Sequence, residues 1–241
     1  MNQPENFKIV ISDALQFFIH HLLQIAALCL PWMLTVALVE YGIILIGKNA
    51  EWATLLVPVA FTFDLLIYPV YMGALIRLMA LRARREHPTN KELTAAAVKG
   101  WQPLFLVRII VSGVKAIGLV FFIAPSIFTF VFFAIPGLYI WVRFAFAEFH
   151  LVLEELKPLE AIQKSFQVTR SYFGQILLLL AMLMIPLALL AVSGFIFLET
   201  QKLDLIFNVL VGVLISFLSL LVDVAIFRVY MSARQANPDI A

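Results

Sequence analysis

Apolar residues run through this chain in long unbroken stretches, not in the alternating or one-sided patterns of a soluble fold. A helix needs about 20 mostly apolar residues to cross the hydrocarbon core of a bilayer. Six stretches fit that requirement. The first, residues 22–46, carries no charge until Glu40, and the second, 55–81, is interrupted by Asp64. The third begins near Leu104 and runs into an uncharged stretch from Ala116 to Val142. A single span cannot hold all of it, so the chain must turn at Pro125 or at Pro136-Gly137. Pro-Gly is the stronger turn signal. It predicts a long, kinked or tilted third helix over 104–134 and a fourth over 138–153. The fifth, 175–198, is wholly uncharged, and the sixth, 205–229, carries Asp223 and Arg228.

Three shorter segments with helical periodicity precede the pairs of spans. Phe7, Ile11, Ala14, Phe18 and Leu22 recur at three- and four-residue steps. Asn90 to Lys99 forms the second, with Asn90 as a cap and Glu92 in the first turn. The third starts at Pro158, a favoured first helical position. There Leu159, Ile162 and Phe166 share one face, turned to lipid or protein, while Glu160, Gln163, Lys164 and Gln167 point away. Such helices suit the membrane interface. The fold class expected is all-α: a polytopic bundle of six transmembrane helices and three interfacial amphipathic helices, forming one membrane domain over 1–241.

Composition agrees with that pattern. Hydrophobic residues make up 63% of the 241 residues and charged ones 13%, against about 25% charged in a typical soluble domain. A water-soluble surface would be short of polar groups. The net charge of +2 is too small to suggest a nucleic-acid partner. The placement of the basic residues is more informative. Arg82, Arg84, Arg85, Lys91 and Lys99 lie between spans two and three, and Lys157, Lys164 and Arg170 between spans four and five. The other side holds Lys48 and Lys202. Basic residues concentrate on the cytoplasmic side, so both termini are expected in the cytoplasm of a bacterial inner membrane. The first basic cluster is also the expected contact for anionic lipid headgroups. Cys29, the single cysteine, excludes an internal disulfide. Lys8 alone precedes the first apolar run, which is too long for a signal-peptide core.

Charges inside spans are the candidate chemistry, since a charge at the bilayer centre is costly and usually has a partner or a role. Estimated depth places Glu40, Asp64, Lys115 and Arg143 together. They form either a buried polar site or a set of structural ion pairs that fix helix register. Asp223 is placed to meet Arg108 or Arg77 at similar depth, a second, cytoplasmic group. His20, His21, His87 and His150 fall near the cytoplasmic face without metal-ligand spacing, so no metal is expected. Gly212 and Ser216, four apart on the sixth span, suggest a close-packing face. No nucleophile elbow, phosphate loop or zinc-protease motif occurs. No catalytic residue and no cofactor are therefore assigned.

The run from Ile135 through Pro136-Gly137-Leu138-Tyr139 to Arg143, with Pro158-Leu-Glu-Ala, Lys164-Ser-Phe and Thr169-Arg170 after it, resembles the YciC family of uncharacterised bacterial inner-membrane proteins. It is also similar to the membrane domain attached to some glycerophosphodiester phosphodiesterases. Tyr68-Pro69-Val-Tyr-Met-Gly73-Ala adds a weaker likeness. The resemblance implies an inner-membrane protein without an assigned activity. The functional expectation is a non-enzymatic membrane protein, lipid-interacting or scaffolding in envelope homeostasis. The alternative is a small transporter or permease with an intramembrane charged site. A polar cavity reaching the charges favours the second, and charges paired and sealed favour the first.

Overall fold

The structure, a computed structural model, describes residues 7–47, 57–122, 127–200 and 205–236. Every element in it is helical: α1 (Phe7–His20), α2 (Leu22–Gly47), α3 (Val57–Ala83), α4 (Asn90–Lys99), α5 (Trp101–Phe122), α6 (Ile127–Phe144), α7 (Ala147–Glu154), α8 (Pro158–Thr200) and α9 (Leu205–Ala236). Four of them, α2, α3, α8 and α9, are long and apolar enough to span a membrane. A fifth candidate is the bent pair α4 and α5, which meet at 70°.

Burial separates lipid-facing from interior surface. On α8, Met182, Ile185, Leu189, Val192 and Ile196 recur at three- and four-residue steps, and all are exposed. A long apolar stripe open to the surroundings suits lipid, not water. On α3, by contrast, Ala74, Leu75, Ile76, Leu78 and Met79 are buried all round, as expected of a helix inside a bundle. Helix α9 is the axis of the packing and touches α1, α2 and α8. Its segment from Val224 to Phe227 is wholly buried.

Several expected boundaries change. The chain does not turn at Pro136-Gly137, since both lie inside α6. Proline deletes one helix hydrogen bond, but a lipid solvent offers no replacement for the others, so the helix runs on. The alternative turn residue, Pro125, falls outside the described residues. Where third and fourth spans over 104–134 and 138–153 are expected, the chain forms α5, α6 and a separate short helix, α7. The segment starting at Pro158 is not an independent helix; it is the first part of the 43-residue α8. At 1.5 Å per residue α8 is about 65 Å long, twice the hydrocarbon thickness, so a good part of it extends beyond the core. Its buried face is Ala161, Ser165, Val168 and Thr169. Of the three residues expected to share an apolar face, Leu159 is exposed, and Ile162 and Phe166 are half-buried.

Two contacts place α4 and α5 against α3. Thr89, not Asn90, caps α4: its hydroxyl accepts from the Glu92 backbone N–H, and the Glu92 carboxylate accepts from Thr89 N–H. Gly73 then lets α4 and α5 approach closely, because a Cβ there would meet Leu104 Cδ2 at 3.3 Å and Ala97 Cβ at 3.5 Å. Trp101 donates its indole N–H to the Leu66 carbonyl at 2.7 Å.

The break between α6 and α7 is repaired from α8. The Ser165 hydroxyl donates to the Arg143 carbonyl at 2.7 Å and accepts from the Phe146 N–H at 3.2 Å. Ser165 is fully buried, so no water can substitute. Ser165→Ala should therefore lower unfolding stability in detergent by about 1–3 kcal/mol, the cost of unsatisfied buried backbone groups. Ser193→Ala, which removes an exposed hydroxyl bonded to the Leu190 carbonyl, should change it by less than about 0.5 kcal/mol. Thermal melts of the two variants test the difference.

Candidate functional site

Two carboxylates from different helices meet at one cavity. Glu40 of α2 and Asp64 of α3 line a space of about 510 Å³ together with Asn208, Gly212 and Ser216 of α9. Met33, Val36 and Val213 form its apolar wall, and Tyr41 and Tyr71 add hydroxyls. Among the described residues, no basic side chain lines it. The two carboxylates are close enough to feel each other's charge. Gly212 and Ser216 do not form the close-packing face that their spacing suggests. They stand on the cavity wall instead, and a Cβ on Gly212 would meet nothing within 4 Å.

The expected group of four charges is thus divided. Arg143 lies away from the cavity, its guanidinium over the Phe166 ring at 5.1 Å and the Tyr139 ring at 5.6 Å. The reason is the uninterrupted course of α6, which carries Arg143 past Pro136 to the last turn, beside α8. The Lys115 side chain falls outside the described residues. Among the described residues, Arg108 is the base whose charge reaches Asp64.

Arg108 and Asp223 do come together. With Tyr68 and Glu148 they line a second, smaller cavity of about 190 Å³. Arg108 stacks over the Tyr68 ring at 3.5 Å, a contact worth about 2 kcal/mol when desolvated. The Tyr68 hydroxyl donates to Glu148 Oε2 at 2.9 Å. Tyr68 and Tyr71 pack edge to face at 5.3 Å. One ring lines the smaller cavity and the other the larger, so the pair stands between them. Glu148, Tyr68 and Tyr71 are not among the sequence candidates. Glu148 is visible as an acid inside the expected fourth span, but helical periodicity alone gives it no partner.

A third polar cluster is closed. Glu154 ends α7 with its side chain 8% exposed. Its Oε1 accepts from the Tyr230 hydroxyl at 2.8 Å and from His150 Nδ1 at 3.0 Å. Its Oε2 takes the Lys164 ammonium at 2.7 Å. His150 donating through Nδ1 leaves a bare Nε2, which is buried without a partner, so the neutral tautomer fits this site. Glu154 does not face a solute path; it ties α7, α8 and α9 together. Among the described residues, no three His, Cys, Asp or Glu side chains converge as metal ligands.

Burial pushes the Glu154 carboxyl up, but the hydrogen bond from Lys164, the His150 interaction and the Tyr230 hydroxyl outweigh it and hold the carboxyl below its usual range. A depressed carboxylate stabilises the fold above its unfolded value, 4.5, and that contribution disappears as pH falls through the lower, folded value. Melting temperature should therefore drop in acid below about pH 4.3, the range where a free glutamate titrates. Lys164→Met should cost about 3 kcal/mol at neutral pH by stranding the buried carboxylate, and the exposed change Lys91→Met should cost almost nothing. Equal melts for the two variants would remove the structural role given to Glu154.

Comparison with protein-family models, with curated proteins and with solved structures finds no match to this chain.

Proposed function

We propose that this chain is a non-enzymatic, six-span protein of a bacterial inner membrane that binds, and passes across the bilayer, a small organic cation held by Glu40 and Asp64. The spans in this reading are α2, α3, α5, α6, α8 and α9, with both termini cytoplasmic. One observation carries the functional part: two acids on different helices share a roomy cavity that, among the described residues, no basic side chain lines. Charges kept only for packing are paired and sealed, as Glu154 is. Two carboxylates sharing one low-dielectric site are costly, and a bound cation offsets that cost. The mixed apolar and aromatic lining suits a cation with a hydrophobic body. Arg84, Arg85, Lys91 and Lys99 are exposed and, with Arg82, are suited to anionic headgroups on the cytoplasmic face. Likeness to the YciC family fits a membrane protein of this build and adds no chemistry of its own.

Reporter fusions test the topology. A fusion at Gln102 or after Asn237 should report cytoplasm, and one at Lys48 or Gln201 periplasm. A periplasmic C-terminus would overturn the six-span arrangement.

Binding of tetraphenylphosphonium to the purified protein tests the site. Glu40→Gln with Asp64→Asn should weaken binding by about tenfold or more, the loss expected when about 1.4 kcal/mol of charge attraction is removed. Melting temperature should stay equal or rise, since the two acids repel. Loss of stability with unchanged cation binding would make these residues structural and end the proposal.

A further inference from the structure

A cleft at the opposite end of the bundle gathers positive charge, and the acidic cavity does not involve it. Helix α1 stops at His20, His21 forms a turn, and α2 begins at Leu22. Beside this junction His20 and His21 line an open cleft of about 630 Å³ together with Arg228 from α9. His20 and His21 meet edge to face at 5.0 Å. The Arg228 guanidinium sits over the Phe17 ring at 5.5 Å, and among the described residues no carboxylate forms an ion pair with it. Arg82 of α3 stands behind His21 in an adjoining small cavity that Arg228 also lines. It is tied to Gln24 Oε1 at 2.6 Å and to His87, with its Nε buried and unpartnered. His20, His21 and Arg228 thus meet at one cleft, with Arg82 behind it. Asp13 is the acid on the cleft wall.

The surroundings fix what kind of anion fits. Leu23 is 86% exposed and Ile19 62%, and Leu15 and Leu22 are exposed as well. Water would disfavour such a strip, but an acyl chain would cover it. Ile19 is itself part of the cleft, so the apolar strip and the basic groups adjoin. A charged head beside a hydrophobic tail is the build of a membrane phospholipid.

We infer that the cleft between α1 and α9 binds one anionic phospholipid, its phosphate met by His20, His21 and Arg228 and an acyl chain lying along Ile19, Leu22 and Leu23. The site is independent of the cation cavity and stands whether or not that cavity carries a solute.

His21 makes the site responsive to pH. His21 Nδ1 is engaged with the Phe17 carbonyl at 3.0 Å, which leaves Nε2 for a proton or a phosphate oxygen. Burial, then the charges of Arg82, His20 and Arg228, hold the His21 imidazole below its ordinary range despite that hydrogen bond. A phosphodiester would offset those positive charges and favour the protonated ring, so binding and protonation should reinforce each other. The charged and titratable groups facing the site are Asp13, His20, His21, Arg82 and Arg228, with His87 behind Arg82.

Nanodiscs or detergent micelles doped with phosphatidylglycerol or phosphatidylcholine of the same acyl chains provide the test, read by native mass spectrometry of retained lipid. Phosphatidylglycerol should be preferred by about tenfold, since each basic group near a headgroup is worth roughly fivefold. The preference should grow between about pH 8 and pH 5.5, the interval where histidine charges and where a phosphodiester does not titrate. His20→Gln with His21→Gln should abolish that growth, and Arg228→Gln should reduce the preference at every pH, with Arg228→Lys restoring part of it. Lys99→Gln, an exposed basic change elsewhere, should leave it intact. The pH profile of the unaltered protein serves even where a variant fails to fold. Equal retention of the two lipids, a preference flat across that pH interval, or full competition by millimolar inorganic phosphate would overturn the assignment, the last by making the site one for a soluble anion.

Discussion

A chain dissolved in hydrocarbon must satisfy its backbone hydrogen bonds from within, because the solvent supplies none. That constraint explains why the described structure is built of helices, and why α6 passes through Pro136 and α8 through Pro186 without ending. It also locates the one residue on which the arrangement of the later helices turns. Between Phe144 and Ala147 the backbone leaves the helix, and the Arg143 carbonyl and Phe146 N–H would be stranded. Ser165 answers both with a single hydroxyl. Because that serine sits on α8, repairing the break fixes where α8 crosses α6 and α7. The Glu154–Lys164 and Glu154–Tyr230 contacts then form nearby.

The bundle is uneven along its length. Buried residues concentrate toward the basic end, at Ile25 and Cys29, at Leu75, Ile76, Leu78 and Met79, at Phe146 and Phe149, and at Val224 to Phe227 and Tyr230. At the other end α2, α8 and α9 present Leu38, Leu45, Ile196, Phe207 and Leu210 outward, and the inner faces of α2, α3 and α9 enclose the acidic cavity instead of a packed core. Tight packing resists change while loosely packed regions open at low cost. The acidic cavity is therefore found where the helices spread, and the closed Glu154 cluster where they converge. Arg108 stands between the two regimes. It reaches Asp64 electrostatically on one side and stacks on Tyr68, itself bound to Glu148, on the other.

Membrane character is legible in the apolar run lengths, and Glu40 and Asp64 are legible as a pair because their depth can be counted along α2 and α3 from the intervening segment. Arg143 is misplaced for the same reason in reverse. Its depth is counted from a turn at Pro136, and a proline that stays inside a helix moves every residue after it. Glu154 reads as a solvated boundary, since two adjacent glutamates after an apolar run look like a helix end. Nothing local in the sequence says that Lys164, ten residues on, and Tyr230, seventy-six residues on, close over the first of them. Likewise Thr89, one residue before the expected cap, holds the capping box because Glu92 is three residues after it, a spacing that is present in the sequence. What periodicity captures is which face is apolar. Which apolar face meets protein and which meets lipid depends on long-range packing, as the exposed Leu159 and the buried Ala161 and Ser165 of α8 show.

Helix α9 carries the consequence of that packing for function. Along one helix it presents Asn208, Gly212 and Ser216 to the acidic cavity, Asp223 to the Arg108 cavity, Arg228 to the basic cleft and Tyr230 to Glu154. A rigid helix rotates or slides as a unit, so a ligand that pulls on Arg228 acts on the same body that forms the wall around Glu40 and Asp64. Communication between the two sites is then a matter of differential contact: a lipid would bias the cavity only if its hold on Arg228 differs between two positions of α9. Tyr230 sets the resistance to such a shift, because its hydroxyl is anchored to a carboxylate that Lys164 and His150 also hold. The closed cluster thus anchors the Tyr230 end of α9, while Asn208, Gly212 and Ser216 at its other end face open space.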